Sequence, residues 1–123
     1  MTIVSSLNAP KAIGPYSQAV ISNGLIYTSG QIALCADGNF LEGDIKSQAR
    51  QVLENLKSIL EAGGSSLSKV IKTTVFLSDM DHFNELNEVY GQYFDKHKPA
   101  RSTIAVKMLP KNALVEIECI AQA

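Results

Sequence analysis

Pro99-Ala-Arg-Ser-Thr-Ile-Ala-Val-Lys-Met-Leu-Pro-Lys-Asn-Ala-Leu-Val-Glu-Ile-Glu118 reads as two strands joined by a loop. Residues 101–106 and 114–121 are rich in Ile, Val, Thr and Leu, which suit a pleated sheet, so they predict two strands. Pro110, Lys111 and Asn112 mark a loop between them. The seven residues from Lys107 to Ala113 exceed a tight hairpin, so the two strands are not assigned to each other as partners. The charges are the unusual feature. Arg101 opens the first strand directly after Pro99-Ala100. Glu116 and Glu118 lie two apart in the second, so both point to one face. Carboxylates rarely stand inside strands of this hydrophobicity without a reason.

Residues 80–96 read as a helix capped by Ser78 or Asp79, with Met80, Phe83, Leu86, Tyr90 and Phe94 on its buried stripe. Asn87 falls beside that stripe. Before it, Lys69–Leu77 reads as a strand with apolar residues on both sides, Ile71, Val75 and Leu77 against Val70 and Phe76. Residues 44–62 read as a helix. Ile45, Ala49, Val52, Leu53, Leu56, Ile59 and Leu60 share one stripe, Asp44 is the N-cap and Gly63-Gly64 the stop. Ser17–Ser22 and Leu25–Ser29 form a hairpin around Asn23-Gly24, whose residues accept the positive φ of a type I′ turn. Ile32–Leu34 offers a continuation of that second strand, and residues 2–5 a short edge strand. The order strands, helix, strand, helix, strands predicts a single α+β domain over residues 1–123, with one mixed sheet covered on one face by two helices. Two helices leave the other face open, and the two-sided apolar strand predicts that other subunits cover it in a symmetric homo-oligomer.

The bulk properties narrow the function. A net charge of −1 with no basic block disfavours nucleic acid and anionic membranes. No run is long enough to span a bilayer. The start, Met1-Thr-Ile-Val-Ser-Ser, does not read as a signal or transit peptide. Two distant cysteines, Cys35 and Cys119, fit a reducing, cytoplasmic home and inert thiols. His82 and His97 read as solvated and lie at no ligand spacing, so no metal site is expected. Phosphate-binding glycine motifs are missing, and no serine or cysteine has an evident histidine partner. An arginine, carboxylates, hydroxyls and backbone groups remain. Taken singly, Arg101 fits a surface or interface salt bridge and Glu116 a buried ion-pair partner. Tyr16 fits an aromatic pinning a loop, Asn87 a cap on nearby backbone, and Ser29-Gly30 a strand end or bulge.

Taken together, four blocks resemble the Rid family, also called the YjgF family, of reactive imine and enamine deaminases. They are Ala12-Ile-Gly-Pro-Tyr-Ser-Gln-Ala19, Ile26-Tyr-Thr-Ser-Gly-Gln-Ile32, Asn87-Glu-Val-Tyr90, and Pro99-Ala-Arg-Ser-Thr-Ile104 continued by Leu109-Pro110 and Val115-Glu-Ile-Glu118. The resemblance is nearest the branch that keeps the active-site arginine. It implies a chorismate-mutase-like fold assembled as a trimeric barrel, with clefts between subunits and no cofactor or metal. It implies hydrolysis of 2-imino acids, formed from enamines such as 2-aminoacrylate and 2-aminocrotonate, to 2-keto acids and ammonia. Arg101 would anchor the substrate carboxylate and Glu116 would orient water and relay protons, with Glu118 read as structural. Tyr16, Ser29, Gly30, Asn87 and Thr103 match pocket positions, Thr103 standing where many relatives have cysteine. A non-catalytic module binding small carboxylates in the same cleft is the alternative. An RNA-acting role, assigned to some relatives, meets the objection of charge.

Overall fold

The computed structural model describes residues 1–123. Its strands are β1 (Thr2–Val4), β2 (Ala19–Ser22), β3 (Leu25–Thr28), β4 (Val70–Leu77), β5 (Ala100–Ala105) and β6 (Val115–Gln122). Helix α1 (Ile45–Ala62) precedes β4, and α2 (Phe83–Tyr93) follows it. The strands form one mixed sheet in the order β1-β2-β3-β6-β4-β5. Only β4 and β5 run parallel, joined through α2. The two strands of the 99–118 stretch are not neighbours, because β4 lies between them. The long loop after β5 spans that gap.

Local chemistry sets the elements. Ser22 pairs with Leu25 across Asn23 and Gly24, whose φ values of 51° and 77° make the turn. The Asp44 carboxylate accepts from Ser47 N at 2.8 Å and starts α1. Gly64, at φ 81°, takes the left-handed conformation beyond its end. All seven residues assigned to the α1 stripe are buried. They pack with Ile26, Val75, Leu77, Leu86 and Ile117 in one core between the helices and the sheet.

Several local expectations are corrected. The second helix is shorter: Met80–His82 is a single 3-10 turn and α2 ends at Tyr93. Met80 is therefore 44 % exposed, and Val89 takes a buried place. Lys69 lies in a 3-10 turn before β4. A bulge between Val70 and Lys72 reverses the alternation there, so Val70 joins Thr73, Val75 and Leu77 inside while Ile71 turns out. Ile32–Leu34 does not extend β3; the chain touches β6 only at Gln31, through an isolated bridge to Ile117. His97 is not solvated: its Nε2 donates to the Val70 carbonyl at 3.0 Å and its ring meets Phe94 edge-on. Both cysteines are free, Cys119 buried and Cys35 half-buried.

Neither α1 nor α2 covers the other face of the sheet. Tyr27, Phe76, Ile104 and Ile120 stand on it, exposed or half-buried. The alternation of β6 places Glu116 and Glu118 on this face and Val115, Ile117 and Cys119 in the core.

Candidate functional site

The turn out of β3 builds the first half of the site. Tyr27 pairs with Ile120, whereas Gln31 bridges to Ile117, so the register slips by one residue across Thr28–Gly30. This is a bulge, and the Thr28 hydroxyl accepts the Cys119 N–H at 3.0 Å in place of a ladder partner. The Ser29 hydroxyl donates to the Ser17 carbonyl at 2.6 Å, and Ser29 N donates to the Gln18 carbonyl. Gly30 then passes directly beside Glu116. A Cβ built on Gly30 would overlap the Glu116 carboxylate, 2.9 Å from its Cδ. Glycine is needed there because the carboxylate closes against bare backbone.

Around this point lies a cleft of about 740 Å³ lined by Tyr16, Ser29, Gly30, Glu116 and Glu118, with Lys11 and Lys111 at its margin. Tyr16 is 53 % exposed and stands at the mouth. Gln18, buried below it, ties down the loop that carries it. Its amide accepts from Ser6 N at 2.6 Å and donates to the carbonyls of Ser6 and Pro10. Gln18→Ala is expected to cost about 2 kcal/mol, since buried backbone groups lose their partners. A urea titration measures that cost, and limited proteolysis should show new cleavage between residues 7 and 17. Pro110 and Lys111 close another side. Lys111 and Asn112 both hold positive φ, 55° and 53°, a conformation that costs a lysine about 1–2 kcal/mol and that asparagine adopts more readily.

Burial and, secondarily, the like charge of Glu118 raise the Glu116 carboxyl above the ordinary glutamate range. The native state therefore keeps this proton at pH values where the unfolded chain has lost it. Stability falls as pH rises from the ordinary value through the raised one. Glu116→Gln should remove that loss. The variant is expected to melt above the wild type at pH 7, with the gap closing toward pH 4, in thermal melts across that range.

The second half sits on the opposite, helix-covered face at the sheet edge. Arg101 Nη1 donates to Asn87 Oδ1 at 2.8 Å. Its guanidinium lies 4.8 Å from the Tyr90 ring centroid and 5.4 Å from that of Phe83. Tyr90 is itself held by a 2.7 Å hydrogen bond with Thr73 and by the Phe94 ring. The groove in front, about 420 Å³, is also lined by Gly91, Lys98 and Pro99. The chain's one ion pair joins Lys46 to Glu88, so Arg101 has no carboxylate partner. The Thr103 hydroxyl, two residues along β5, is buried without a hydrogen-bond partner. Such an orphan marks a place where another polar group belongs.

Within one chain, the expected residues thus fall into two groups. Tyr16, Ser29, Gly30 and Glu116 share the cleft; Arg101 and Asn87 share the groove; Thr103 lines neither. No three His, Cys, Asp or Glu side chains gather as a metal site would require. Gln18 and the Tyr90 platform escape sequence reading. Gln18 is a lone amide in a loop, and Tyr90 is at a core spacing. The i, i+3, i+4 set of Asn87, Tyr90 and Gly91 is the one signal that places them on a common face.

Comparison with known proteins adds a family and relatives. Residues 6–123 match the family model described as Endoribonuclease L-PSP. A RutC family protein of Pyrococcus horikoshii is 52% identical over 97% of this chain and 95% of its own length. The human 2-iminobutanoate/2-iminopropanoate deaminase is 45% identical over 97% of this chain and 88% of its own. Among solved structures, Escherichia coli TdcF with bound serine matches with a TM-score of 0.94 at 44% identity, covering 100% of this chain and 99% of TdcF. No helix here is long and apolar enough to cross a membrane.

Proposed function

Since the chain belongs to the Endoribonuclease L-PSP family, the Rid or YjgF family of the sequence resemblance, we propose that it hydrolyses 2-imino acids to 2-keto acids and ammonia. The observation that carries this reading is the free guanidinium of Arg101, held in place by Asn87 and two aromatic faces with no anion of its own. A planar fork with unspent donors suits a carboxylate bound bidentately. TdcF has been solved with serine, and serine carries the carboxylate, Cα and nitrogen unit that a 2-imino acid shares.

We further infer that a homotrimer completes the site. The uncovered sheet face and the sheet edge at β5 would meet neighbouring chains, bringing the Arg101 groove of one to the Glu116 cleft of the next. Arg101 then fixes the substrate carboxylate, and Thr103 offers its hydroxyl to the bound molecule or to water. Glu116 orients a water against C2 and takes its proton as the C–O bond forms. Glu116 returns that proton to the nitrogen, giving the carbinolamine; the hydroxyl proton then passes to the nitrogen as the C–N bond breaks and C=O forms, so ammonia leaves and the keto acid remains. A carboxyl whose affinity for protons is raised suits this shuttling near neutral pH. Tyr16 shuts the mouth. Two glutamates lining the cleft and a net charge of −1 disfavour a polyanion such as RNA. Two unpaired cysteines suit the cytoplasm.

The test is ammonia release from 2-aminoacrylate generated in situ. Acceleration by the purified protein over the spontaneous rate is expected. Binding of a 2-keto acid with no acceleration would instead identify a binding module.

A further inference from the structure

Helix α1 buries an apolar stripe, yet one row on its inward side is polar: Gln48, Gln51 and Asn55, at helical spacing. Asn55 is 1 % exposed. Its Nδ2 donates to the Leu34 carbonyl at 2.8 Å and to the Ile32 carbonyl at 3.3 Å. Both of its amide hydrogens are thereby used. Its Oδ1 accepts from Gln51 Nε2 at 2.9 Å, which fixes the amide so that the donors face the carbonyls. Gln48, likewise buried, accepts from Leu114 N at 2.9 Å and donates to the Leu41 carbonyl at 3.3 Å.

The Asn55 bonds end on a wall of the cleft, and the Gln48 bonds on Leu41 and Leu114, outside its lining. Ile32 and Leu34 line it and lie in the segment that left the sheet at the bulge. That segment meets β6 only at Gln31, so Asn55 is its second anchor. Leu114 is the residue at which the chain enters β6, two before Glu116. Leu41 N also bonds the Ala33 carbonyl at 2.8 Å, so the Gln48 anchor reaches the same wall through Leu41. One helix row thus holds both the segment that leads on from Gly30, where the Glu116 carboxylate rests, and the residue that enters the strand carrying that glutamate.

We propose that Gln48, Gln51 and Asn55 are positioning residues for the deamination, with Asn55 setting the distance between the Gly30–Leu34 wall and Glu116. The assignment rests on the proposed function. It concerns the chemical step and not carboxylate binding, because the row touches neither Arg101 nor its groove. A buried amide that served only to satisfy α1 would change stability and leave the reacting groups in register. A positioning amide changes kcat out of proportion to stability.

The experiment compares steady-state ammonia release and melting temperature for the wild type, Asn55→Leu, Gln51→Leu and Leu53→Ala. Leu53 is buried on the same helix in the apolar stripe and is the stability control. Asn55→Leu is expected to lower kcat by about tenfold or more with KM held within about threefold, since small displacements of reacting groups are costly. Leu53→Ala, melting at least as low, should keep kcat within about twofold. Should Asn55→Leu fail to fold, Gln51→Leu removes the bond that orients the amide, together with a 3.7 Å bond from the Cys35 thiol to Gln51 Oε1, and about a threefold loss of kcat at nearly native melting temperature is expected. A kcat that follows melting temperature across all variants, or a rise in KM with kcat unchanged, would overturn this inference alone. A wild type with no turnover would overturn the deaminase reading and this inference with it.

Discussion

Replacing Arg101 with alanine is expected to lower kcat/KM for 2-iminopropanoate by about one to two orders of magnitude, the effect of losing a charge-assisted bidentate contact of about 1.5–3 kcal/mol. The fold should survive. Arg101 lies at the sheet edge, it has no carboxylate partner to strand, and its guanidinium rests on ring faces that themselves stay packed. Far-UV circular dichroism and oligomeric mass are therefore expected to match the wild type. Arg101→Lys should recover little, because an ammonium restores charge without the planar fork that Asn87 orients. Unchanged kcat/KM in the alanine variant would remove the arginine from the mechanism.

Gly30→Ala should be nearly as damaging to activity while sparing stability. The new methyl would occupy the place of the Glu116 carboxylate. That carboxylate is the far end of a flexible side chain in a half-exposed cleft, so it can swing aside at small cost to the fold. The water it orients moves with it, and a displacement of about 1 Å at a reacting group can cost about a hundredfold. Thermal melts and kinetics on the same sample check the split. A large fall in melting temperature with kcat preserved would show that Gly30 serves the bulge and not the carboxylate.

Sequence periodicity and turn chemistry carry most of the fold. The α1 stripe, the Asn23-Gly24 turn and the alternation of β6 are local patterns, and local patterns are legible. The bulge in β4 was not, because it depends on how Ile71 and Lys72 fit between β6 and β5. The late start of α2 escaped for a related reason. Met80 lies at helical spacing, but Asp79 caps Asp81 N and winds a 3-10 turn first. For the site, the resemblance singled out the residues but not their separation onto opposite faces. That separation follows from β4 lying between β5 and β6, a non-local fact no spacing encodes. Asn55 reads in sequence as one polar residue beside an apolar stripe, and only the fold shows its two carbonyl partners.

In the proposed trimer, Arg101 and Glu116 act together from different chains. The decisive experiment mixes the Arg101→Ala and Glu116→Gln variants, dissociates and reassembles them together, and measures ammonia release from 2-aminoacrylate. Each variant alone should be nearly inactive. Random reassembly of a closed ring with each site shared by two neighbours should restore about a quarter of wild-type activity. Activity no higher than that of the separate variants would contradict a shared site.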